Sequence, residues 1–227
     1  MIEKNYGVLN LNFLDRIVER KREEMLLILK KKLDKNQLKS FLDVGTTEDD
    51  SLKSSNFFIN KFNYIKNIKS ITNQQLDKKK FSHYLKKSIT ENFSVEEINT
   101  FKSDLVVSSA TLEHVGNFKN QSKMIKNIIN LSNKFFFITT PYRFFPIDYR
   151  TKIPLLHFLP KKIHRKILSF IGLKEYAKEE NLNLLDFKTV KKMINCQSNK
   201  DFEIKILYIK LFGLISNILI LGKKTNL

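Results

Sequence analysis

Three short apolar runs, each cut off by glycine, small hydroxyl residues or proline, constrain this chain more than any other feature. They are Phe41-Leu-Asp-Val-Gly45, Asp104-Leu-Val-Val-Ser-Ser109 and Phe135-Phe-Phe-Ile-Thr-Thr140, the last stopped by Pro141. Runs this short, rich in aromatic and branched residues and without polar alternation, read as strands buried on both faces rather than as helices. Stretches of helical period separate and flank them. From Leu11 to Leu33, apolar residues recur at Leu14, Ile17, Val18, Met25, Ile28, Leu29 and Leu33. Met124, Ile125, Ile128 and Ile129 mark one face of a helix over about Gln121 to Asn133, and Val190, Met193 and Ile194 mark another that Asp186 can cap. Strands alternating with helices predict βαβ units, hence a mostly parallel sheet covered on both faces.

The rest of the chain fills in around that frame. Phe57, Phe58, Ile59 and Phe62 fit a short helix, Ile68 to Thr72 a second strand, and the Lys-rich stretch 73–102 a third strand edged by Phe81 and Ile89. Phe202–Leu211 and Asn217–Gly222, with a turn at Gly213, predict an antiparallel pair at the sheet edge. Residues 142–180 hold three of the four prolines among aromatic and basic residues, which reads as an insertion over one end of the sheet. At 227 residues the chain suits one core. The expected division is a helical N-terminal extension over 1–37 and a single domain over 38–227, with the insertion at about 142–180. The expected fold is an α/β, Rossmann-like three-layer sandwich: a seven-stranded, mostly parallel sheet with an antiparallel C-terminal edge hairpin.

Composition narrows the setting without choosing a partner. With 41 basic and 23 acidic residues the net charge is +18, enough to attract nucleic acid or an anionic membrane. The excess is mostly lysine spread along the whole chain, as on a solvated surface. A single cysteine, Cys196, excludes an internal disulfide and a cysteine-based zinc cluster, and fits a reducing compartment. The opening MIEKNYGVLNLNFLDR lacks the continuous apolar core of a secretory leader, and the longest apolar run, Leu211–Leu221, is about half a bilayer span. The expectation is a cytoplasmic protein, with peripheral contact at the inner membrane face as the alternative.

In open α/β sheets ligands bind beyond the carboxyl ends of the strands. After the first run, Gly45 permits a tight turn with backbone close to a ligand, and Thr46 and Thr47 offer hydroxyls and amides; an ordinary structural turn would use the same glycine. After the second run come adjacent Glu113 and His114. A histidine titrating near neutrality just past a strand end is placed for proton transfer in a cleft, although a lone histidine also serves as a structural residue. After the third run, Tyr142, Arg143, Tyr149, Arg150 and His157 stand among Phe144, Phe145, Pro146 and Phe158. This apolar, basic surface fits an aromatic, glycan or lipid-linked acceptor, a membrane interface, or plain packing of a lid onto the core.

In their order and spacing, FLDVG, DLVVSSATLEHV and KFFFITTP resemble motif I, the post-strand-four motif and the strand-five motif of the Rossmann-like (class I) S-adenosylmethionine-dependent methyltransferases. The chain is most similar to the small bacterial methyltransferase type 11 group, through its DVGTT turn followed by Ser55-Asn56 and its closing segment Leu211 to Lys224. The likeness spans roughly residues 38–224. It implies that Asp43, Gly45 and Thr46 lie against the methionine part of S-adenosylmethionine, Asn73 or Gln74 near the ribose hydroxyls, and Ser109 and Ala110 at the sulfonium, with Glu113 and His114 just beyond. His114 is then the implied base for the acceptor's proton, and Tyr142, Arg143 and His157 the implied substrate contacts. The chain departs from the pattern in having Gly45-Thr-Thr-Glu-Asp for a glycine-rich GxGxG turn, and an amide residue for the acidic one after the second strand. Ala110 also replaces the first glutamate of the ExxEH motif of metal-dependent RNA-end methyltransferases, so no metal site is expected.

Three functions follow. The first is methyl transfer from S-adenosylmethionine to a small-molecule, saccharide or lipid-linked acceptor. The second is a degenerate module that keeps the fold for binding. The third, motivated by charge, is a nucleic-acid binder or nucleic-acid methyltransferase.

Overall fold

The computed structural model describes residues 11–33, 38–48, 53–79, 81, 83–197 and 201–225. The start of the stretch read for a secretory leader, and Asp49 and Asp50 of the turn after the first strand, lie outside the described residues.

Seven strands form one sheet: β1 (Ser40–Val44), β2 (Asn67–Thr72), β3 (Tyr84–Lys86), β4 (Ser103–Ser109), β5 (Ser132–Pro141), β6 (Phe202–Leu211) and β7 (Leu214–Lys224). Their spatial order is β3-β2-β1-β4-β5-β7-β6. The first five run parallel, and β7 enters antiparallel to β5 and pairs with β6, which forms the outer edge. The seven-stranded, mostly parallel sandwich with a C-terminal hairpin is therefore the architecture that the sequence pattern predicts. Strand order reverses between β1 and β4, so the loops after these two strands part in opposite directions and leave a crevice at their carboxyl ends.

Alternating side chains divide the core in two. Leu42, Val106, Phe136 and Ile138 face one side with Met124, Ile125, Ile128, Val190 and Met193. Phe41, Leu105, Val107, Phe135 and Phe137 face the other with Met25, Leu26, Leu29, Phe57, Phe58 and Phe62. The first side is covered by α4 (Phe118–Asn130) and α7 (Phe187–Asn195), the second by α1 (Leu11–Lys30) and the short α2 (Phe57–Lys61). In the contact between layers, Phe41 and Phe62 stack at 5.2 Å. On β7, Gly222 lies beneath the Phe136 ring, where a Cβ would come within 2.0 Å of a ring carbon.

Caps explain where the helices begin. The Asn117 side chain accepts from the Asn120 amide, so α4 starts at Phe118, three residues before the predicted start at Gln121, and ends at Asn130, earlier than the periodicity places it. Asp186 caps α7 by accepting from the Thr189 amide at 2.7 Å. The stretch 73–102 contains β3 inside the Phe81 and Ile89 edges, and also a helix that the apolar pattern does not reveal, α3 (Val95–Phe101). No side chain of α3 is buried; a capping box between Ser94 and Glu97 defines its start. The region 142–180 folds into a turn, a short 3-10 segment Leu156–Phe158, α5 (Lys161–Phe170) and α6 (Lys174–Ala177).

Candidate functional site

Beyond the carboxyl ends of β1, β2 and β4 lies a cleft with three adjoining lobes of about 430, 330 and 240 Å³. The first is lined by Ile71, Asn73, Gln74, Ser88, Ile89 and His114 among others. The second lies between Asp43, Gly45 and Asn56. The third lies between α1, the end of β5 and the segment 149–152. Gly45, Thr47 and Gln74 border both of the first two lobes, and Ala110 and Arg150 border all three.

The backbone at the end of β1 shapes this cleft. Gly45 has φ +98°, and a Cβ there would lie 2.2 Å from Thr111 Oγ1, so glycine lets the turn after β1 approach the turn after β4. Ser108 Oγ donates to the Val44 carbonyl at 2.9 Å, and the Gly45 amide donates to the Ile71 carbonyl at 2.9 Å, tying the three strand ends together. A second device stands where a glycine-rich turn is absent. Asn56, in the left-handed region at φ 47°, accepts from the Thr47 amide at 3.0 Å and donates to the Thr47 carbonyl at 2.7 Å. This two-way bracket holds the Thr46–Thr47 backbone open with a side chain. Thr46 itself is buried and donates from Oγ1 to Asp43 at 2.7 Å, leaving Thr47 to line the cavities.

Asp43 is almost fully buried, and burial raises its pKa from 3.8 to about 6 against the opposing pull of the Thr46 hydroxyl and the Arg22 guanidinium. Arg22 projects from α1 into the second and third lobes. Burial and the neighbouring Arg150 push the Arg22 pKa below its usual value, while Asp43, Glu113 and Asp15 oppose them. The helix read as an N-terminal extension thus contributes a charged group to the cleft.

At the end of β4 the chain turns sharply through Ala110, at φ 53°, into the 3-10 segment Leu112–His114. Glu113 is fully buried; its Oε2 accepts from Thr140 Oγ1 at 2.9 Å, and its Oε1 has no hydrogen-bond partner among the described residues. His114 Nδ1 lies 2.5 Å from the Asn181 carbonyl, which can only accept, so Nδ1 carries a proton and Nε2 is the ring nitrogen turned toward Glu113. Nε2 is buried without a hydrogen bond, 3.7 Å from Glu113 Oε1. The segment before α7 fixes this turn: the Asn183 amide donates to the Glu113 carbonyl at 2.7 Å, and the buried Gln121 side chain bridges the Leu112 and Asn183 carbonyls.

The structure brings Asp43, Gly45, Asn73, Gln74, Ser109, Ala110, Glu113 and His114 to the cleft, with Glu113 and His114 on different lobes. The three residues read as substrate contacts do not line it. Tyr142 packs against Phe144 and Phe187, and Arg143 donates to the carbonyls of His157 and Leu159. His157 is buried, its Nε2 2.6 Å from the Phe145 carbonyl. These residues hold the insertion together. Residues that sequence reasoning passed over include Arg22, Ser88, Ile89 and Lys152. The first two strands after β1 end in loops, and only the position of β3 would have singled out Ser88 and Ile89.

No protein-family model matches the chain, and no curated protein sequence matches it. Solved structures do resemble it in fold. Magnesium protoporphyrin IX methyltransferase from Synechocystis, solved with bound S-adenosylmethionine, is 10% identical with a TM-score of 0.52, over 97% of this chain and 87% of that one. The 1,6-didemethyltoxoflavin-N1-methyltransferase of Burkholderia thailandensis, solved with its acceptor and S-adenosylhomocysteine, is 8% identical with a TM-score of 0.53, over 97% and 93%. A Rhodobacter sphaeroides chain described as a candidate Zn-dependent alcohol dehydrogenase gives 10% identity and a TM-score of 0.55, over 82% and 84%. The fold is that of Rossmann-like class I methyltransferases, and at these identities the likeness is one of fold.

Proposed function

We propose that the chain is an S-adenosylmethionine-dependent methyltransferase with a small-molecule acceptor. One observation carries the reading: the turn after β1 is closed so tightly against Thr111 that only glycine fits, and it sits beside a buried carboxylate at the topological switch point. The residues fit the cofactor. Asp43 offers an anion to an ammonium group, and the Asn56-bracketed Thr47 backbone replaces the missing glycines. Asn73 and Gln74 present amides beside the largest lobe, where ribose hydroxyls would lie. Two solved neighbours that hold this cofactor or its product support the assignment. When bound, the cofactor supplies an electrophilic methyl group on a sulfonium.

The protein's part is alignment and removal of the acceptor's proton. We assign that proton to His114 through Glu113. Glu113 lines the smallest lobe, on the far side of Ala110 from the largest, and its unpaired Oε1 faces His114 Nε2 at 3.7 Å. Within the N-terminal extension read over 1–37, α1 then closes the cleft of the 38–227 domain, facing segment 149–152 of the 142–180 insertion across the third lobe.

Calorimetry with S-adenosylhomocysteine tests the assignment, with micromolar binding expected. Absence of binding at millimolar ligand would overturn it in favour of a fold kept for other contacts. Transfer of labelled methyl from S-adenosylmethionine to a component of cell extract should require Gly45, and full transfer by His114→Ala would remove the proposed base.

A further inference from the structure

The smallest lobe has a composition that the cofactor does not explain. Four cationic side chains line it: Lys21 and Arg22 from α1, and Arg150 and Lys152 from the insertion. Lys21 is engaged, donating to Glu24 at 2.6 Å and to the Lys210 carbonyl. The other three have no side-chain hydrogen bond or ion pair among the described residues, and Arg22 and Arg150 face one another closely enough to repel. The lobe's two carboxylates, Asp15 and Glu113, act on Arg22 but form no ion pair with Arg150 or Lys152 among the described residues; Asp15 accepts from Ser54, and one oxygen of Glu113 accepts from Thr140. Four cations against two carboxylates leave the lobe with an excess of positive charge, held there at a cost that a bound anion relieves.

The insertion is built to present these charges. Buried Asp148 accepts from the Arg150 amide, the Thr151 amide and the Thr151 hydroxyl, while its carbonyl accepts from the Lys152 amide at 2.7 Å. This closed turn carries Lys152 at φ 58°. Apolar side chains complete the lining, among them Val18, Met25, Pro141 and Tyr149.

We infer that the methyl acceptor is an anionic molecule with an apolar body, its carboxylate or phosphate held by Arg150 and Lys152 in the lobe between α1 and residues 149–152. The inference rests on the methyltransferase reading. The methionine carboxylate satisfies at most the cations of the second lobe, Arg22 and Arg150; Lys152 lines only the third of the three lobes and stays unanswered. A bound S-adenosylmethionine carries a net positive charge, so it leaves the remaining cations in greater need of an anion.

The test titrates the full chain by calorimetry with 4-hydroxybenzoate, phenyl phosphate and the uncharged 4-hydroxybenzamide, with and without saturating S-adenosylhomocysteine. At least one anion is expected to bind the saturated protein about tenfold more tightly than the amide, and Arg150→Gln and Lys152→Gln each to weaken it about fivefold. The tighter of the two anions identifies the head group as carboxylate or phosphate. Equal binding of the amide, anion affinity indifferent to both substitutions, or displacement of the anions by S-adenosylhomocysteine would overturn the inference. Anion binding without any binding of S-adenosylhomocysteine would leave the anion site standing and overturn the cofactor assignment instead.

Discussion

Of the two ends of the cleft, the one over β1 and β2 is held in shape by main-chain geometry, whereas the one under α1 is assembled from long charged side chains. At the first end, a left-handed glycine, three strand ends joined through Val44, Gly45 and Ile71, and the Asn56 bracket around Thr47 leave little freedom. At the second, Arg22 and Arg150 arrive from elements far apart in sequence and meet only across the cavity. A shape written in backbone tolerates few changes and suits an invariant ligand. A surface written in side chains can be altered one residue at a time, which suits acceptors that differ from protein to protein.

The sharpest way to break this comparison is Gly45→Ala. The added Cβ would lie 2.2 Å from Thr111 Oγ1, at a backbone φ of +98°. Overpacking and backbone strain together should cost about 3 kcal/mol or more, with S-adenosylhomocysteine binding lost. Thr111→Ala in the same chain should recover only part of the thermal stability, because the φ strain persists. Recovery of both stability and binding would mean that side-chain crowding alone, and not backbone geometry, defines this end.

What could be read without a structure follows the same division. Strands β1, β4 and β5 announce themselves because burial on both faces makes each a short, mostly apolar run without polar alternation, and Gly45 because the run stops there. Helix α3 escaped notice because none of its residues is buried, so it leaves no apolar stripe; its Ser94-Val-Glu-Glu97 capping box was the readable signal. The amphipathic α5, Lys161–Phe170, was hidden among the prolines and aromatics around it. At the site, residues adjacent to strand ends were legible, since position in the chain fixes position in space. Arg22 was not, because it lies on a helix whose approach to the cleft depends on how Met25, Leu26 and Leu29 pack against Phe41 and Phe57. Tyr142, Arg143 and His157 are read as contacts through proximity to β5, yet none lines the cleft: Arg143 and His157 Nε2 bond to carbonyls of the insertion, and the Tyr142 ring packs on Phe144 and Phe187.

Asp43 offers the next largest effect and sharpens the contrast through pH. Its carboxyl titrates at about 6 in the folded chain against 3.8 ordinarily, so the folded state binds the extra proton between those values and stability falls as pH rises through that window. The full penalty above pH 6 corresponds to about 3 kcal/mol. Asp43→Asn, which keeps an acceptor for Thr46 Oγ1, should therefore raise the melting temperature at pH 7 and leave it almost unchanged near pH 4. The same variant should weaken S-adenosylhomocysteine about tenfold or more at pH 7. For the native chain, affinity should climb as pH rises through about 6, since a cationic ammonium favours the ionised carboxylate. A stabilised variant that binds as well as the native protein would separate Asp43 from the ligand.

The smallest of these effects concerns the boundary between the two ends, at Glu113. Its Oε1 is already without a partner, and Thr140 Oγ1 donates the only hydrogen bond to its other oxygen among the described residues. Thr140→Val keeps the shape of the buried Thr140 side chain and strands that second oxygen, which should cost about 2 kcal/mol in chemical denaturation. In a Glu113→Leu background the carboxylate is gone, and the same substitution should cost less than about 0.5 kcal/mol, so the coupling in the cycle measures the hydrogen bond and its burial. Equal costs in the two backgrounds would mean that Thr140 acts through packing alone. Glu113 would then be free to turn toward the anionic acceptor's lobe, and its service as a relay to His114 would lose its anchor.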